Sequence, residues 1–514
     1  MSVQNLLLRI FSRSWTRRRD GFVFACRGRS LSLTSTLLFT FAYALAGPHI
    51  APLAAGQPPN FDTSFLPRTM RVDYYHSGNA TEDRIALERI IADGDWAGSR
   101  TQLLDTLDRG LYGYEVHDAR SKQLLYSRGF CSVFGEWQTT TPAREQWGTF
   151  HESLRFPWPK GPVVVTLKKR VDGQWTELWS LPIDPESRFV NRADLTPRGQ
   201  VWTVFENGPS AEKLDVVVLG DGYTTDDLPK FHADVARMVE CLFAEEPFKS
   251  RRADFNVRAV DVVSPASGIS QPREAKFRRS ALGCEYNTFD LERYVLTADN
   301  RSVRDAAACA PYDNLIILFN NSKYGGGGIY NDQTTVAADA PFADYILVHE
   351  FGHHVAGLAD EYYVSNVAYV TGNLPKFEPW EPNITALLDP AQLKWRDLLA
   401  ADTPVPTPWK KAEYEASAKQ TQKQRQASAQ GADAEAHVAG VMRQEQQSLT
   451  SLLSSDPYAG KVGVFEGASY EVKGLYRPAI DCIMFSRNKV GFCPICRRAI
   501  NQAIDAAIDR QSSH

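Results

Sequence analysis

The chain is most constrained by the run His349-Glu350-Phe351-Gly352-His353-His354-Val355-Ala356-Gly357-Leu358-Ala359-Asp360-Glu361-Tyr362-Tyr363, which contains His-Glu-x-x-His. Residues four apart on a helix sit one above the other on the same face. A helix here therefore offers the imidazoles of His349 and His353 to one metal ion. Glu350 leans toward the same point and is placed to take a proton from water. His354 points about 100° away around the helix and is expected to pack or hydrogen-bond. A catalytic zinc site needs three protein ligands and an open position. Gly357 is suited to ending the helix and turning the chain back. That makes Asp360 the favoured third ligand, with Glu361 beside it and the distant His232 or His437 as alternatives. The expectation is one catalytic zinc ion on His349, His353 and Asp360, with Glu350 as general base. Tyr362, Tyr363, Tyr476 and Arg477 are candidate donors to a developing oxyanion.

Composition adds little against this reading. Of ten histidines, three fall within positions 349–354. With 43% hydrophobic residues, 23% charged residues and a net charge of −4, the chain has neither the basic field of a nucleic-acid partner nor the acidity of a disordered one. Its 514 residues leave room for more than one domain.

Residues 1–46 read as an export signal. Arginines at 9, 13, 17, 18, 19, 27 and 29 precede an apolar run, Leu31 to Leu45, and Ala44-Leu45-Ala46 is a small-x-small cleavage site. The run is too short and too rich in Ser and Thr for a transmembrane helix. The mature protein is expected to be exported without stable membrane insertion. Seven cysteines follow residue 46, and an oxidising compartment favours pairing. Cys284 with Cys309, and Cys482 with Cys493 or Cys496, are the expected local disulfides. Cys493-Pro-Ile-Cys496 as a redox or zinc pair is the alternative, although there is neither a thioredoxin-like context nor a second Cys-x-x-Cys.

The pattern predicts an α+β or α/β chain. Residues 47–64 are a flexible lead-in rich in Pro, Ala and Gly. Residues 65–185 read as a β-sandwich domain with one helix near Glu82 to Ala92, a hairpin at Asp172-Gly173, and a core filled by Trp137, Trp147, Trp158, Trp175 and Trp179. Residues 186–203 are a polar linker. Residues 204–514 form the domain carrying the metal helix, with a mixed sheet. Leu214–Leu219, Phe255–Val263 and Leu315–Phe319 are its strands, and Phe231, Val235, Met238 and Leu242 mark a helix. Gly325–Gly328 is a mobile loop, followed by a β-rich segment, Ile329 to Ala338, which is either an edge that pairs with an extended peptide or a plain loop-plus-strand connection. An insertion at about 408–455, rich in Ala, Gln, Lys and Glu, forms surface helices broken near Gly431 and carries no assigned chemistry.

The motif resembles the gluzincin and metzincin metallopeptidases, but Gly357 and Asp360 each fall one residue later than the metzincin formula. It is similar instead to the family named for the IgA-cleaving metallopeptidase of gut bacteria, with His-Glu-x-x-His-x-x-x-Gly-Leu-x-Asp-Glu-Tyr. Further matching segments are Leu219–Tyr223, Phe255-Asn256-Val257, Gly327–Asn331, Glu381–Thr385, Tyr476-Arg477-Pro478 and Cys493–Cys496. The resemblance implies a metzincin-like zinc peptidase domain behind an N-terminal β domain, a protein or peptide substrate, and Met484 as the methionine under the zinc. It does not fix the substrate. A zinc amidase acting on cell-wall peptides, or an adhesion protein with a structural zinc, are the rival readings.

Overall fold

The computed structural model describes residues 58–364, 372, 375–426 and 434–509. The expected export signal, most of the lead-in and the break near Gly431 lie outside the described residues. Among the described residues no helix is long and apolar enough to cross a membrane.

The first described element, α1 (Phe61–Ser64), falls at the end of the expected lead-in, is capped by Asn60 and buries Phe61. There follow β1 (Phe65–Gly78), β2 (Asp83–Asp95), β3 (Tyr112–Asp118), β4 (Leu124–Phe130), α2 (Val133–Trp137), β5 (Gly148–Pro159), β6 (Val163–Val171), β7 (Gln174–Ile183) and β8 (Val190–Asn191). They make two four-stranded sheets, β5-β1-β2-β8 and β4-β3-β6-β7. Alternate residues of each sheet face one core: Met70, Val72, Tyr74 and Phe156 from the first, Tyr114, Val116, Val165 and Leu167 from the second. At the β6–β7 turn, Asp172 and Gly173 both have positive φ, 50° and 76°, as a two-residue hairpin of this hand requires. Of the five tryptophans expected inside, Trp137 and Trp158 are buried, but Trp147 is 52% exposed.

The expected helix near Glu82–Ala92 is instead strand β2, paired along β1 from Gly78↔Asp83 to Arg68↔Asp95. Ala86, Leu87 and Glu88 favour helix, but that preference is worth only tenths of a kcal/mol per residue. A long partner strand and the burial of Ile90, Ile91 and Ala92 outweigh it. The segment expected as a linker contributes one strand to the first of these sheets and one to the six-stranded sheet that follows. β8 lies parallel to β2, and β9 (Gln200–Phe205) pairs antiparallel with a strand of the next sheet.

That sheet is built from β10 (Leu214–Asp221), α3 (Leu228–Leu242), β11 (Phe255–Asp261), the small ribbon β12 (Cys284–Glu285) and β13 (Leu296–Thr297), α4 (Asn300–Ala307), β14 (Asn314–Phe319), β15 (Gly326–Ile329), β16 (Gln333–Ala337) and α5 (Ala343–Ala356). Strand order is β15-β16-β14-β10-β11-β9. The four inner strands run parallel and β15 and β9 run antiparallel at the edges. Every residue of β10 and of β14 is buried, as parallel strands covered on both faces must be. The glycines from Gly326, expected to form a mobile loop, make the edge strand, and the segment expected at the edge supplies β16, which is paired on both sides. A Cβ on Gly328 would lie 2.3 Å from the Glu350 carbonyl oxygen, and one on Gly326 would lie 2.7 Å from Ile346 Cγ2. Only glycine lets this strand approach α5 so closely.

The rest comprises the helices α6 (Lys411–Gln426) and α7 (Ala434–Ser454), the hairpin of β17 (Phe465–Ala468) and β18 (Glu471–Arg477), and α8 (Pro494–Ala507). α8 packs against α5. The two halves of the chain are tied by buried polar groups. Arg71 on β1 bonds Asp93 and, on α4, Asp305. Arg109 donates to the carbonyls of Ala356 on α5 and Ala499 on α8, both at 3.1 Å.

Candidate active site

Helix α5 carries the metal motif and ends where expected. Gly357 has φ 59°, and its N–H returns to the His353 carbonyl at 2.9 Å. The chain then doubles back, held by the buried Asn383. The Asn383 side chain accepts from the Ala359 N–H at 2.8 Å and donates to the Ala359 carbonyl at 2.9 Å. This return carries Asp360 to the two histidines. His349 Nε2 and His353 Nε2 are 3.1 Å apart, and Asp360 Oδ1 lies 3.0 Å from the first and 3.3 Å from the second. Around an ion with bonds of about 2.0–2.1 Å, tetrahedral edges are about 3.3–3.4 Å. The three atoms are therefore spaced as three corners of such a shell. Asp360 Oδ1 is buried and has no hydrogen-bond partner, which fits a cation.

Each proposed ligand is oriented from behind. His353 Nδ1 donates to the Leu358 carbonyl at 2.6 Å and His349 Nδ1 to the Ile483 carbonyl at 3.0 Å, so that each Nε2 is an acceptor when its ring is neutral. Asp360 Oδ2 accepts from the Tyr470 hydroxyl, and the Asp360 carbonyl accepts from the Ser469 N–H at 2.9 Å. Ser469 and Tyr470 form the β17–β18 turn with positive φ at both positions, 46° and 65°. That strained turn aims Tyr470 at the site. Nothing local marks Tyr470 in sequence, since it lies 110 positions beyond Asp360.

The electrostatics suit a cation. Burial works against charge on His353, but the Asp360 carboxylate beside it outweighs this and the imidazole is pushed up to about 9. Asp360, although buried, is held well below the usual carboxylate range by His353 and His349. Burial raises Glu350 above the ordinary carboxylic value, against the opposing pull of the two histidines. His354 is pinned elsewhere: its Nδ1 donates to the Ile329 carbonyl at 3.0 Å, and burial lowers it to about 4.

Glu350, His349, His353 and Asp360 line a cleft of about 1060 Å³. Of the four oxyanion candidates only Tyr362 lines it, its ring stacked toward His349 at 17°. Tyr363 bonds Glu415, and Arg477 is fully buried against the Gly467 carbonyl. Tyr476 pairs its backbone with Thr385. Glu361 is engaged instead by Asn383 and Cys496, whose Nδ2 and Sγ lie 3.0 and 3.2 Å from its Oε1. His232 bonds Asp261 at 2.8 Å on the α3 face and takes no part. The helices at 408–455 are not bystanders. Arg425, Val438 and Met442 line the cleft, and Glu435 holds Arg293 in two bonds of 2.9 Å.

The expected disulfides are absent. All seven cysteines of the described residues are free. Cys309 follows α4 and accepts from the Arg198 N–H, whereas Cys284 sits on β12, where its N–H bonds Asp221. Cys482 Sγ and Cys496 Sγ are 3.8 Å apart, far from a bond of about 2.05 Å.

No curated protein matches the chain. The family model for IgA Peptidase M64 matches residues 203–504, and that for the Peptidase M64 N-terminus matches residues 60–180. The chain belongs to the M64 peptidase family and is a metallopeptidase whose substrates are proteins or peptides.

Proposed function

We propose that this protein is an exported, zinc-dependent endopeptidase with a metzincin-like centre, in which His349, His353 and Asp360 hold one catalytic zinc ion and Glu350 is the general base. The observation that carries the reading is the convergence of two imidazole nitrogens and an otherwise unpartnered carboxylate oxygen on one point at the floor of the cleft. Three ligands and an open side favour catalysis over a closed structural site. Bound there, zinc supplies Lewis acidity, polarising the scissile carbonyl and bringing the pKa of water toward about 7. Glu350 takes a proton from the attacking water and returns it to the leaving amine. Its burial favours the protonated form that it passes through. Tyr362 is the donor we assign to the oxyanion. Met484, fully buried and next to the Ile483 carbonyl that orients His349, is the methionine of the floor.

The substrate strand runs along β15. Its Gly326 end is already bonded to Arg293 and Val295, and the Gly328 end lines the cleft beyond that pairing. An extended peptide adds there through main-chain hydrogen bonds. Export rests on the character of residues 1–46.

The test is Glu350→Gln. Turnover of a diverse peptide library should fall by about 10²–10⁴-fold with zinc content unchanged. Wild-type turnover by this variant, or full activity after chelation, would overturn the proposal. Cleavage confined to cell-wall peptides would move it to the amidase reading.

A further inference from the structure

Behind the active site lies a second cluster that the peptidase chemistry does not use. Glu361, Cys482, Cys493 and Cys496 are buried, and one ligand atom from each lies within 4.8 Å of all the others. None of the four lines the cleft. The sulfurs of Cys482 and Cys496 are 3.8 Å apart, the tetrahedral edge expected for zinc–sulfur bonds of about 2.3 Å. Cys496 Sγ is 3.2 Å from Glu361 Oε1. The other carboxylate oxygen, Oε2, is buried with no hydrogen-bond partner. A buried, unpartnered carboxylate oxygen on a residue clustered with three thiols is what a bound cation would satisfy.

The start of α8 favours a thiolate at Cys493, while burial by itself pushes the Cys482 and Cys496 thiols up. Cys493 is the N-cap of α8 and Cys496 lies in its first turn, at the positive end of the helix dipole. The Cys493 N–H donates to Cys482 Sγ at 3.3 Å, and the Cys496 N–H to Cys493 Sγ at 3.5 Å. Three thiolates and a carboxylate around a divalent ion leave two negative charges, and the fully buried Arg477 lies in the field of Glu361 and opposes them. Asn383, which holds the return loop, also donates to Glu361 Oε1 at 3.0 Å.

We propose that Glu361, Cys482, Cys493 and Cys496 form a second, structural zinc site, closed by four protein ligands. The site acts as a clasp. Glu361 is next to Asp360, and its N–H donates to the Met484 carbonyl at 2.8 Å. Cys482 is two residues before Met484. One ion thus joins the loop bearing the third catalytic ligand, the segment under the catalytic site and the start of α8.

The experiment is metal analysis of the full chain, with zinc-edge X-ray absorption, on wild type and His353→Ala. Wild type should carry two zinc ions. His353→Ala should keep one, with sulfur-dominated coordination. Cobalt substitution of that variant should give a thiolate charge-transfer band, lost in Cys496→Ser. One zinc in wild type with only nitrogen and oxygen ligands would overturn the proposal and leave the catalytic reading standing. One zinc with sulfur ligands would do the reverse. A Cys482–Cys496 disulfide seen by mass spectrometry in the metal-loaded protein also overturns it.

Discussion

Replacing Gly328 by alanine tests whether the glycine run is packed strand or loose loop, because the two differ in the sign of the effect. Gly328 does not have positive φ, so alanine fits its backbone. In a loop, Gly→Ala at such a position stabilises by about 0.4–1 kcal/mol through the unfolded chain. In β15 the new Cβ would sit 2.3 Å from the Glu350 carbonyl oxygen and 3.0 Å from its carbon, all backbone atoms that cannot rotate aside. An ordinary contact is about 3.4 Å or more, so strand and helix must part by about 1 Å. Overpacking of this kind costs about 1–3 kcal/mol. With about 2.1 cal/mol/K of unfolding entropy per residue, a chain of 514 residues shifts by about 1 °C per kcal/mol, so Tm falls by roughly 1–3 °C. The same displacement falls on the residue proposed as general base, where a 1 Å error costs about 10²-fold in rate. Differential scanning calorimetry and kcat/KM on a quenched peptide read both effects. Gly440→Ala is the control: it lies exposed in α7 with nothing within 4 Å, and should stabilise slightly. An unchanged or raised Tm for Gly328→Ala, with full activity, would refute the packing argument.

Three further outcomes follow from the site. Tyr470→Phe removes the hydroxyl that holds Asp360 Oδ2. It should weaken zinc binding about 10–100-fold in a chelator competition, and an unchanged affinity would deny Tyr470 its orienting role. With His353 raised to about 9 in the metal-free protein, its proton is held at pH 7 and must leave when the ion binds. Calorimetry in buffers of different ionisation enthalpy should therefore find about one proton released from His353 at pH 7, over and above any from zinc-bound water, so affinity rises with pH up to about 9. Zero release at pH 7 contradicts this. Arg109→Ala strips two carbonyls, at the ends of α5 and within α8, of a charged donor. Each such bond is worth about 1.5–3 kcal/mol, and Arg109→Lys should not fully rescue, because Nη1 donates to both carbonyls while Nη2 donates to the Gln502 side chain, a planar spread that one ammonium cannot reproduce. Urea unfolding within about 0.5 kcal/mol of wild type would show that the two halves do not lean on this contact.

Much of the site could be read from local spacing. His349, Glu350 and His353 share a helix, so a period of 3.6 is enough to bring them together. Gly357, placed to end that helix, brought Asp360 into consideration. The Asp172-Gly173 hairpin and the buried strand at Leu214–Leu219 are equally local. The sequence alone therefore determined the His-Glu-x-x-His helix, its glycine stop and the alternation of strands around it. Four things were decided only in three dimensions. The stretch at 83–95 is helical by propensity, but a 14-residue partner strand makes it β2. The glycines at 326–328 look like a loop until α5 is set against them, when absence of a side chain becomes the condition for contact. Tyr470 reaches Asp360 across 110 positions through a turn of positive φ. The cysteines at 482, 493 and 496 read as disulfide partners because their fourth companion, Glu361, lies more than a hundred residues earlier. Short-range hydrogen bonding and periodicity act along the chain and are visible in it. Shared burial and ligand convergence join residues that only the folded backbone makes neighbours.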